Sequence, residues 1–253
     1  MSKEINPRYL KNKAMEGEIF NSNLYGPFKI TEYVGNSEVH IEFCNTGTSN
    51  VVSMVRIRAG MVRDWMEPIT FGVGYIGAKE IGSKGSEDYA IYHKWYTMLQ
   101  RCYWGEKPSY EDVTVVAEWF NFQNFLKWAK ENWFKKEYHL DKDLLATGNR
   151  EYGPQTCCFL PRKMNQFLVR GKPSRGEHMI GVSFDKQNNK FKAAYNYDGK
   201  RTHIGNFTTE IEAFLAYKAH KEIRAKELAV EYSSVGMPYV VDAFMKFEVC
   251  PTD

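Results

Sequence analysis

Hydrophobic and polar positions along this chain follow two periods, and the first segment of the chain has the period of β-strands. Between about Glu18 and Asp64, short runs rich in β-branched and aromatic residues are separated by the turn residues GNS and NTGTSN. These runs are FKITEYV, VHIEFC and VVSMVRIR. They predict three or four antiparallel strands with no helix, forming a small barrel or a curled sheet.

The second segment, from about Ser86 to Leu168, changes to a helical period. SEDYAIYHKWYTMLQRCY predicts a helix capped by Ser86 or Asp88, because its apolar residues recur at helical spacing. Those residues are Ile91, Trp95, Met98, Leu99 and Cys102. VTVVAEWFNFQNFLKWAKENW predicts a short strand and a second helix, and TCCFLPRKMNQFL predicts a strand that leads into a helix starting near Pro161.

The third segment, from about Gly176 to Tyr232, predicts three antiparallel strands and one helix. The strands IGVSFD, KFKAAYNY and RTHIGNF are separated by the hairpin signals KQNN and DGK. A helix capped by Thr208 or Thr209 follows, and one face of the sheet stays free. We expect that helix to place these residues against the sheet: Ile211, Phe214, Leu215, Ala216 and Ala219. Residues 233–253 form a tail with some strand character.

The predicted fold class is therefore α+β in several parts. The parts are an SH3-like β-barrel domain (1–68), a glycine-rich linker (69–85), a central domain with flanking helices (86–170), a sheet-plus-helix domain (176–232) and the tail. In the linker, Gly72, Gly74 and Gly77 spell GxGxxG, but more loop follows where a nucleotide-binding fold needs a helix. A linker is the favoured interpretation.

Composition narrows the class of protein. Hydrophobic residues make up 43% of the 253 residues, and no apolar run approaches the roughly 18 residues of a membrane span. The first residues lack the apolar region of a secretory signal, so we expect a soluble protein in the cytoplasm. The five cysteines form no CxxC pair, which favours reduced thiols over disulfides or a zinc site.

Positive charge is concentrated in one stretch of the third segment. The whole chain carries a formal charge of +3, whereas residues 170–209 carry eight basic and three acidic side chains, a net charge of +5. That stretch is a candidate for binding polyanions. Arg56, Arg58 and Arg63 form a smaller basic group, which can contact phosphate or can be a solvated strand edge.

The third segment resembles AP2-type DNA-binding domains in IGVSFD, KFKAAY, HIGNF and EIEAFLAYKAHKE. In that family the three-stranded sheet lies in the major groove of DNA. The resemblance implies these DNA-binding candidates: Lys186, Lys190, Lys192, Tyr195, Tyr197, Lys200, Arg201 and His203. Lysines replace the arginines of the first strand, and lysine contacts phosphate without the bidentate fork that arginine offers to guanine.

The second segment resembles phage-type HNH endonucleases, in a divergent group that often carries a C-terminal AP2-like module. The supporting runs are YHKWYTMLQRCY, VVAEWFNFQNFLKW and LDKDLLATGNREYGPQTCCFLPRKMNQFL. HNH proteins build a ββα-metal site, a hairpin and a helix that grip one divalent cation. The resemblance implies that Asp141 is the first metal ligand, Asn149 the hairpin asparagine and Asn165 the helix ligand, and Asp143 is a further oxygen donor.

The chain departs from the HNH pattern at the residue after Asp141. Family members have a histidine there that activates water, and this chain has Lys142, which is protonated at its ordinary pKa. His139 can substitute as the base, because residues two apart on a strand point to one face. Lys142 can instead stabilise the developing charge.

Two functions follow from these resemblances. The first is a phage-encoded, homing-like endonuclease that cuts duplex DNA with Mg²⁺ or Mn²⁺, acts in the cytoplasm of an infected bacterium, and needs neither zinc nor a small-molecule cofactor. The second is a DNA-binding, regulatory or counter-defence protein with a silent HNH fold, which Lys142 favours. We expect no membrane partner, and a homodimer is one option. A protein-interaction role has only the many aromatic residues in its support.

Overall fold

The computed structural model describes residues 7–78, 81–105, 108–132, 134–146, 148–168, 177–197, 199–235 and 237–251. Across these ranges it combines seven α-helices with eleven strands, so the α+β class is confirmed. The chain divides into two compact units, residues 1–127 and 128–253. The finer division into five parts stays a prediction. Among the described helices, none combines the length and apolar character needed to cross a membrane.

Unit 1 begins with a helix and a four-stranded antiparallel sheet. The elements are α1 (Pro7–Lys13), β1 (Ile19–Ser22), β2 (Gly26–Gly35), β3 (Glu38–Phe43) and β4 (Ser49–Val52). The strands lie in sequence order, and β1 and β4 are the edges of this sheet. The predicted barrel is therefore wrong for the described residues, which form an open sheet.

One face of this sheet carries the core of the N-terminal region. Phe28 and Ile30 in β2 are fully buried, but strict alternation would turn Tyr33 toward solvent. The pairing of β2 with β3 shifts by one residue between Ile30 and Glu32, and this β-bulge returns Tyr33 to the core. Burying one such side chain contributes about 1.5–3 kcal/mol, which favours the bulged register over a regular one.

The run VVSMVRIR does not continue as a strand. After β4 the chain forms α2 (Met54–Arg58), because the Ser53 hydroxyl caps the helix by accepting the backbone N–H of Arg56 at 3.4 Å. Met54 and Ile57, three residues apart, are both buried. The β-branched residues of this run are therefore divided between a strand and a helix.

The two aromatic helices of the second segment are confirmed. They are α3 (Glu87–Tyr103), capped by Ser86, and α4 (Phe122–Glu131), and β5 (Thr114–Val115) lies between them in the chain. In unit 1 the indole of Trp95 donates to the carbonyl oxygen of Trp119 at 2.6 Å. The glycine-rich segment is packed against α3, since a Cβ on Gly74 would overlap Trp95. Residues 79–80 of that segment lie outside the described residues.

Unit 2 opens with a small hairpin followed by a helix. Its elements are β6 (His139–Asp141), β7 (Glu151–Tyr152), β8 (Cys158–Leu160) and α5 (Arg162–Leu168). β6 and β8 pair antiparallel, and α5 starts directly after Pro161, where the sequence predicts it. The proline suits this position because its missing N–H would have no partner in the first turn.

The second sheet of unit 2 is three-stranded and antiparallel, in the order β11-β10-β9. The elements are β9 (Val182–Asp185), β10 (Lys190–Tyr197), β11 (Lys200–Phe207), α6 (Glu210–Glu231) and α7 (Pro238–Met245). Thr209 and Glu212 form a capping box at the start of α6, as one of the two predicted caps requires. The tail is helical where strand character is predicted.

Helix α6 covers one face of this sheet, but with a different set of residues from the predicted one. Phe214 and Tyr217 are buried against the strands, whereas Ile211 and Leu215 are 61% and 55% exposed. The helix is therefore rotated relative to the prediction. Gly181 lies under Tyr217 with a φ of +76°, and any Cβ there would overlap the tyrosine ring.

Candidate functional site

The hairpin β6–β8 and helix α5 bring the predicted metal and base residues to one place. His139 lies opposite Leu160 and Asp141 opposite Cys158 in the pairing, so the two polar side chains share one face of β6. On α5, Asn165 is half-buried, and its Nδ2 lies 3.4 Å from Nδ1 of His139. The amide nitrogen of Asn165 can only donate, so in this contact Nδ1 of His139 accepts and the imidazole proton is on Nε2.

Asp141 ends β6 and shapes the loop that follows. Its Oδ1 accepts the backbone N–H groups of Asp143 at 3.0 Å and of Leu144 at 2.8 Å. Burial raises the pKa of the Asp141 carboxyl, and the negative charge of Asp143 acts in the same direction, while the two N–H groups oppose them. A cation next to this half-buried carboxylate would offset the free-energy cost of burying its negative charge.

Lys142 lies at the centre of a hydrogen-bonded loop. Its side chain is only 11% exposed, and its Nζ donates to Oδ1 of Asp143 at 2.6 Å and to the carbonyl oxygen of Asn149 at 2.8 Å. Asn149 returns a bond from its Nδ2 to the carbonyl oxygen of Lys142 at 3.1 Å. Its Oδ1 accepts the backbone N–H of Glu151 at 3.1 Å. Lys142 therefore holds the loop closed through the hydrogen bonds that its Nζ donates.

The predicted site residues thus fall into two adjoining groups. His139 and Asn165 form one pair, and Lys142, Asp143 and Asn149 form the loop network, with Asp141 at the junction between strand and loop. Within the described residues, no group of three or more His, Cys, Asp or Glu side chains could hold a metal.

Oxygen donors of the kind that Mg²⁺ prefers are nevertheless present. Mg²⁺ usually keeps several waters and needs only one or two carboxylates, so Asp141 with the amide oxygen of Asn165 is a chemically suitable pair. Asp143 is a weaker candidate, because the ammonium of Lys142 already neutralises its charge. The donor set therefore suits a hard divalent cation.

Two cysteines form the apolar side of this hairpin. Cys157 and Cys158 are buried free thiols. Burial raises the pKa of the Cys157 thiol to about 12 and raises the pKa of the Cys158 thiol further, with the Asp141 charge adding to both shifts. Both sulfurs therefore stay protonated at neutral pH and act as small apolar side chains, as the sequence predicts.

The face of the β9–β11 sheet opposite α6 is called the open face here. Directly opposed residues share a face, so the pairs Asn196–Arg201, Ala194–His203 and Lys192–Asn206 define it. Lys190, paired with Asp185, also belongs to it. Lys186 is exposed in the turn between β9 and β10. Five of the eight predicted DNA-binding residues therefore lie on or beside the open face.

One acidic group on the open face limits its charge. Asp185 accepts from Nζ of Lys192 at 2.7 Å and from the side-chain amide of Asn188 at 2.7 Å. The hydrogen bond from Lys192, supported by the one from Asn188, lowers the pKa of Asp185 to about 2. Lys190 donates to the hydroxyl of Thr208 at 3.1 Å. Arg201 and His203 complete the open face as exposed basic side chains.

The two tyrosines assigned to DNA contact are placed elsewhere. Tyr195 packs into the core between sheet and helix, because it continues the alternation of Phe191 and Ala193. Tyr197 lies under Arg224 of α6, with 4.9 Å from the guanidinium to the ring centre. Neither tyrosine therefore lies on the open face, and their assignment to DNA contact stays a prediction. Lys200 pairs with Tyr197 at the hairpin end, and it is exposed.

Asn196 and Asn206 are polar residues of the open face that the sequence reasoning missed. Both are exposed, and both could have been found by counting in steps of two from Lys192 and from the partner strand. Asparagine can bond both to phosphate and to adenine, so they add hydrogen-bonding groups to a basic surface. Arg170, Lys172 and Arg175 of the basic stretch lie outside the described residues.

Comparison of the chain with protein-family models, with curated proteins and with solved structures finds no match. The HNH and AP2 resemblances therefore stay predictions that rest on the motifs of the sequence. Function has to follow from the chemistry of the hairpin and of the open face.

Proposed function

We propose that this chain binds duplex DNA and hydrolyses a phosphodiester bond with a divalent cation, in the manner of phage-type HNH endonucleases with an AP2-like module. One observation carries the proposal. Two antiparallel strands followed by a helix group Asp141, His139 and Asn165 on one side, and the order of these elements is that of a ββα-metal site. The open face of the second sheet supplies a surface for DNA.

Each residue of the hairpin has a definite role in this proposal. Asp141 and Asn165 would hold Mg²⁺ or Mn²⁺, which polarises the phosphate and steadies the leaving oxygen. His139 would accept the proton of the attacking water at Nε2, a contribution of about 10²–10⁴-fold for a well-placed base. This step requires the amide of Asn165 to be turned so that its oxygen accepts the Nδ1–H of His139. Asn165 orients the imidazole through its contact with Nδ1. Asn149 holds the loop by its bond to the backbone of Lys142.

The open face would position the duplex. Its lysines contact phosphates as point charges, and Arg201 and His203 add donors at the far strand. Because Lys192 is paired with Asp185, its contact with phosphate competes with an ion pair inside the protein. We therefore expect affinity to come mainly from phosphates, with modest sequence selectivity.

A second candidate function is DNA binding without cleavage, in a regulatory or counter-defence protein. The observation that favours it is the environment of Lys142, which occupies the position of the family's catalytic histidine. Its ammonium is bonded to Asp143 and to the carbonyl oxygen of Asn149, so it serves the loop and offers no lone pair to water. Because Lys142 cannot act as the base, any cleavage would depend on His139 alone, and this favours binding without cleavage.

Nicking of supercoiled plasmid with Mg²⁺ or Mn²⁺ separates the two functions. Wild-type protein should nick, and Asp141→Ala should lose the activity because the principal oxygen donor is gone. Asp242→Ala is the matched control, since this acid is exposed on α7 and pairs only locally with Lys246 at 2.7 Å. If wild-type protein binds DNA and nicks with neither metal, the enzyme proposal fails and the second function stands.

Duplex binding is tested separately by titration at several salt concentrations. Lys192→Gln or Arg201→Gln should weaken binding and reduce the salt dependence by about 0.9 for each lost phosphate contact. Lys226→Gln, on the exposed side of α6, removes the same charge away from the open face. Equal losses in all three variants would contradict the assignment of the open face.

A further inference from the structure

Unit 1 contains a cleft of about 440 Å³ that the proposed nuclease does not use. It lies between the β1–β2 turn, strand β4 and the residues that follow α2. Its volume is in the range of small-molecule sites, which are about 300–1,000 Å³. Among the side chains that line it are Tyr25, Arg56, Arg63 and Trp65. The cleft therefore combines cationic and aromatic groups in one concave surface.

The charge of this cleft has a single sign. Arg56 and Arg63 line it, and none of its lining residues, all of which belong to the described part of the chain, is acidic. The nearby Asp64 is buried, and its carboxylate is taken up by the hydroxyl of Thr46 and by the backbone N–H of Met66. No carboxylate therefore lines the cleft beside the two guanidinium groups, and an anion is the complementary ligand.

The apolar side of the cleft is aromatic. The guanidinium of Arg63 lies over the ring of Trp65, 5.7 Å from the ring centre, so a cationic and an aromatic group adjoin in the cleft. Tyr25 is half-buried against the core of the sheet, while Leu24 and Met61 at the rim are 75% and 67% exposed. A planar ring stacks on such a surface, because every nucleobase has a π-face.

The walls of the cleft are tied together by the backbone. The N–H of Asn23 donates to the carbonyl oxygen of Gly60 at 2.9 Å, and the hydroxyl of Ser22 donates to the carbonyl oxygen of Val62 at 2.6 Å. These bonds join the β1–β2 turn to the segment after α2. The cleft is therefore preformed, which lowers the entropic cost of binding.

We propose that this cleft binds a nucleotide unit, with its phosphate on Arg56 and Arg63 and its base against Trp65 and Tyr25. The unit can belong to a free nucleotide or to a single strand of DNA, since both present a phosphate beside an unstacked base. A duplex does not fit this chemistry, because its bases are stacked inside. The inference does not depend on the nuclease proposal, whose residues all lie in unit 2.

The test measures the fluorescence anisotropy of a labelled oligodeoxythymidine strand on the full chain, with thymidine monophosphate as competitor. Arg56→Gln and Arg63→Gln should each reduce the salt dependence by about 0.7, the value for one phosphate contact on a single strand. Arg58→Gln is the matched control. Arg58 lies on α2 like Arg56, but it does not line the cleft and it donates to Asn12 at 2.8 Å.

Removal of the Trp65 indole gives an independent readout of base stacking. Trp65→Leu should lower the affinity for the strand about 5- to 150-fold, the effect of losing one base stack. Trp104→Leu is the control, since this indole is 72% exposed and does not line the cleft. Thermal unfolding of all variants shows that the folds are retained.

The outcomes separate the sources of the ligand. Displacement of the strand by thymidine monophosphate would show that a single nucleotide suffices, and binding of the strand alone would show that neighbouring phosphates are needed. The proposal is overturned if wild-type protein binds neither probe, or if the Arg58 and Trp104 controls lose as much affinity as the cleft variants. Failure of plasmid nicking, or of duplex binding at Lys192, bears on the proposed function alone.

Discussion

Replacement of Gly181 by alanine tests how α6 is seated on the sheet that carries the open face. Gly181 precedes β9 with a φ of +76°, and its carbonyl oxygen accepts the backbone N–H of Ala194 at 2.9 Å. A Cβ at this position would overlap the ring of Tyr217 on α6. Alanine therefore introduces two separate costs, one in the backbone and one in the packing.

The size of each cost follows from this geometry. A non-glycine residue in the left-handed region costs roughly 1–2 kcal/mol, and forcing an extra methyl into a packed site costs about 1–3 kcal/mol. Gly181→Ala should then destabilise the protein by about 2–5 kcal/mol. Gly199→Ala isolates the backbone cost, because Gly199 has a φ of +73° and open space around its Cβ position.

Urea denaturation followed by circular dichroism measures both variants. The difference between Gly181→Ala and Gly199→Ala should be about 1–3 kcal/mol, which is the overlap with Tyr217 alone. Tyr217→Leu should cost less in the Gly181→Ala background than in wild type, because there it also removes the obstructing ring. Equal losses for the two glycine variants would refute the close approach of α6 to the start of β9.

Two further predictions concern the hairpin. Burial raises the pKa of Asp141, so the ionised carboxylate opposes folding at neutral pH. Asp141→Asn should therefore raise the unfolding temperature at pH 7. This gain should vanish below the ordinary aspartate pKa, where the wild-type carboxyl is protonated in both the folded and the unfolded state. The same variant should lose any stabilisation by Mg²⁺, and a variant less stable than wild type at pH 7 would contradict the reasoning. Lys142→Met removes the bonds to Asp143 and Asn149 and should cost about 1–3 kcal/mol and speed proteolysis of the loop, whereas Lys186→Met in an exposed turn should change neither.

Much of the fold could be predicted from periodicity, because burial imposes it directly. The helices α3, α4 and α6 and the three strands β9–β11 occur where the spacing of apolar residues predicts them. What periodicity missed has local causes. The Ser53 cap converts the end of an apparent strand into α2, and the bulge in β2 allows Tyr33 to stay buried. Neither follows from a count of β-branched residues.

Side-chain placement in the second sheet could be predicted in part. Alternation alone puts Tyr195 on the same side as Phe191 and Ala193, facing α6, which the family resemblance did not indicate. The rotation of α6 could not be read from its apolar residues, since Ile211 and Leu215 are as hydrophobic as Phe214 yet face solvent. That rotation agrees instead with the capping box at Thr209 and with Gly181, whose missing Cβ leaves room for the ring of Tyr217.

The hairpin combines a predictable arrangement with one unforeseen contact. Strand periodicity places His139 and Asp141 on one face, but only the folded loop shows that Lys142 reaches the carbonyl oxygen of Asn149, seven residues away. That bond closes the loop with a positive charge that the protein itself supplies, the ammonium of Lys142. A cation at Asp141 would serve the proposed chemistry. The same hairpin can therefore support either proposed function, a nuclease that relies on His139 or a protein that only binds DNA.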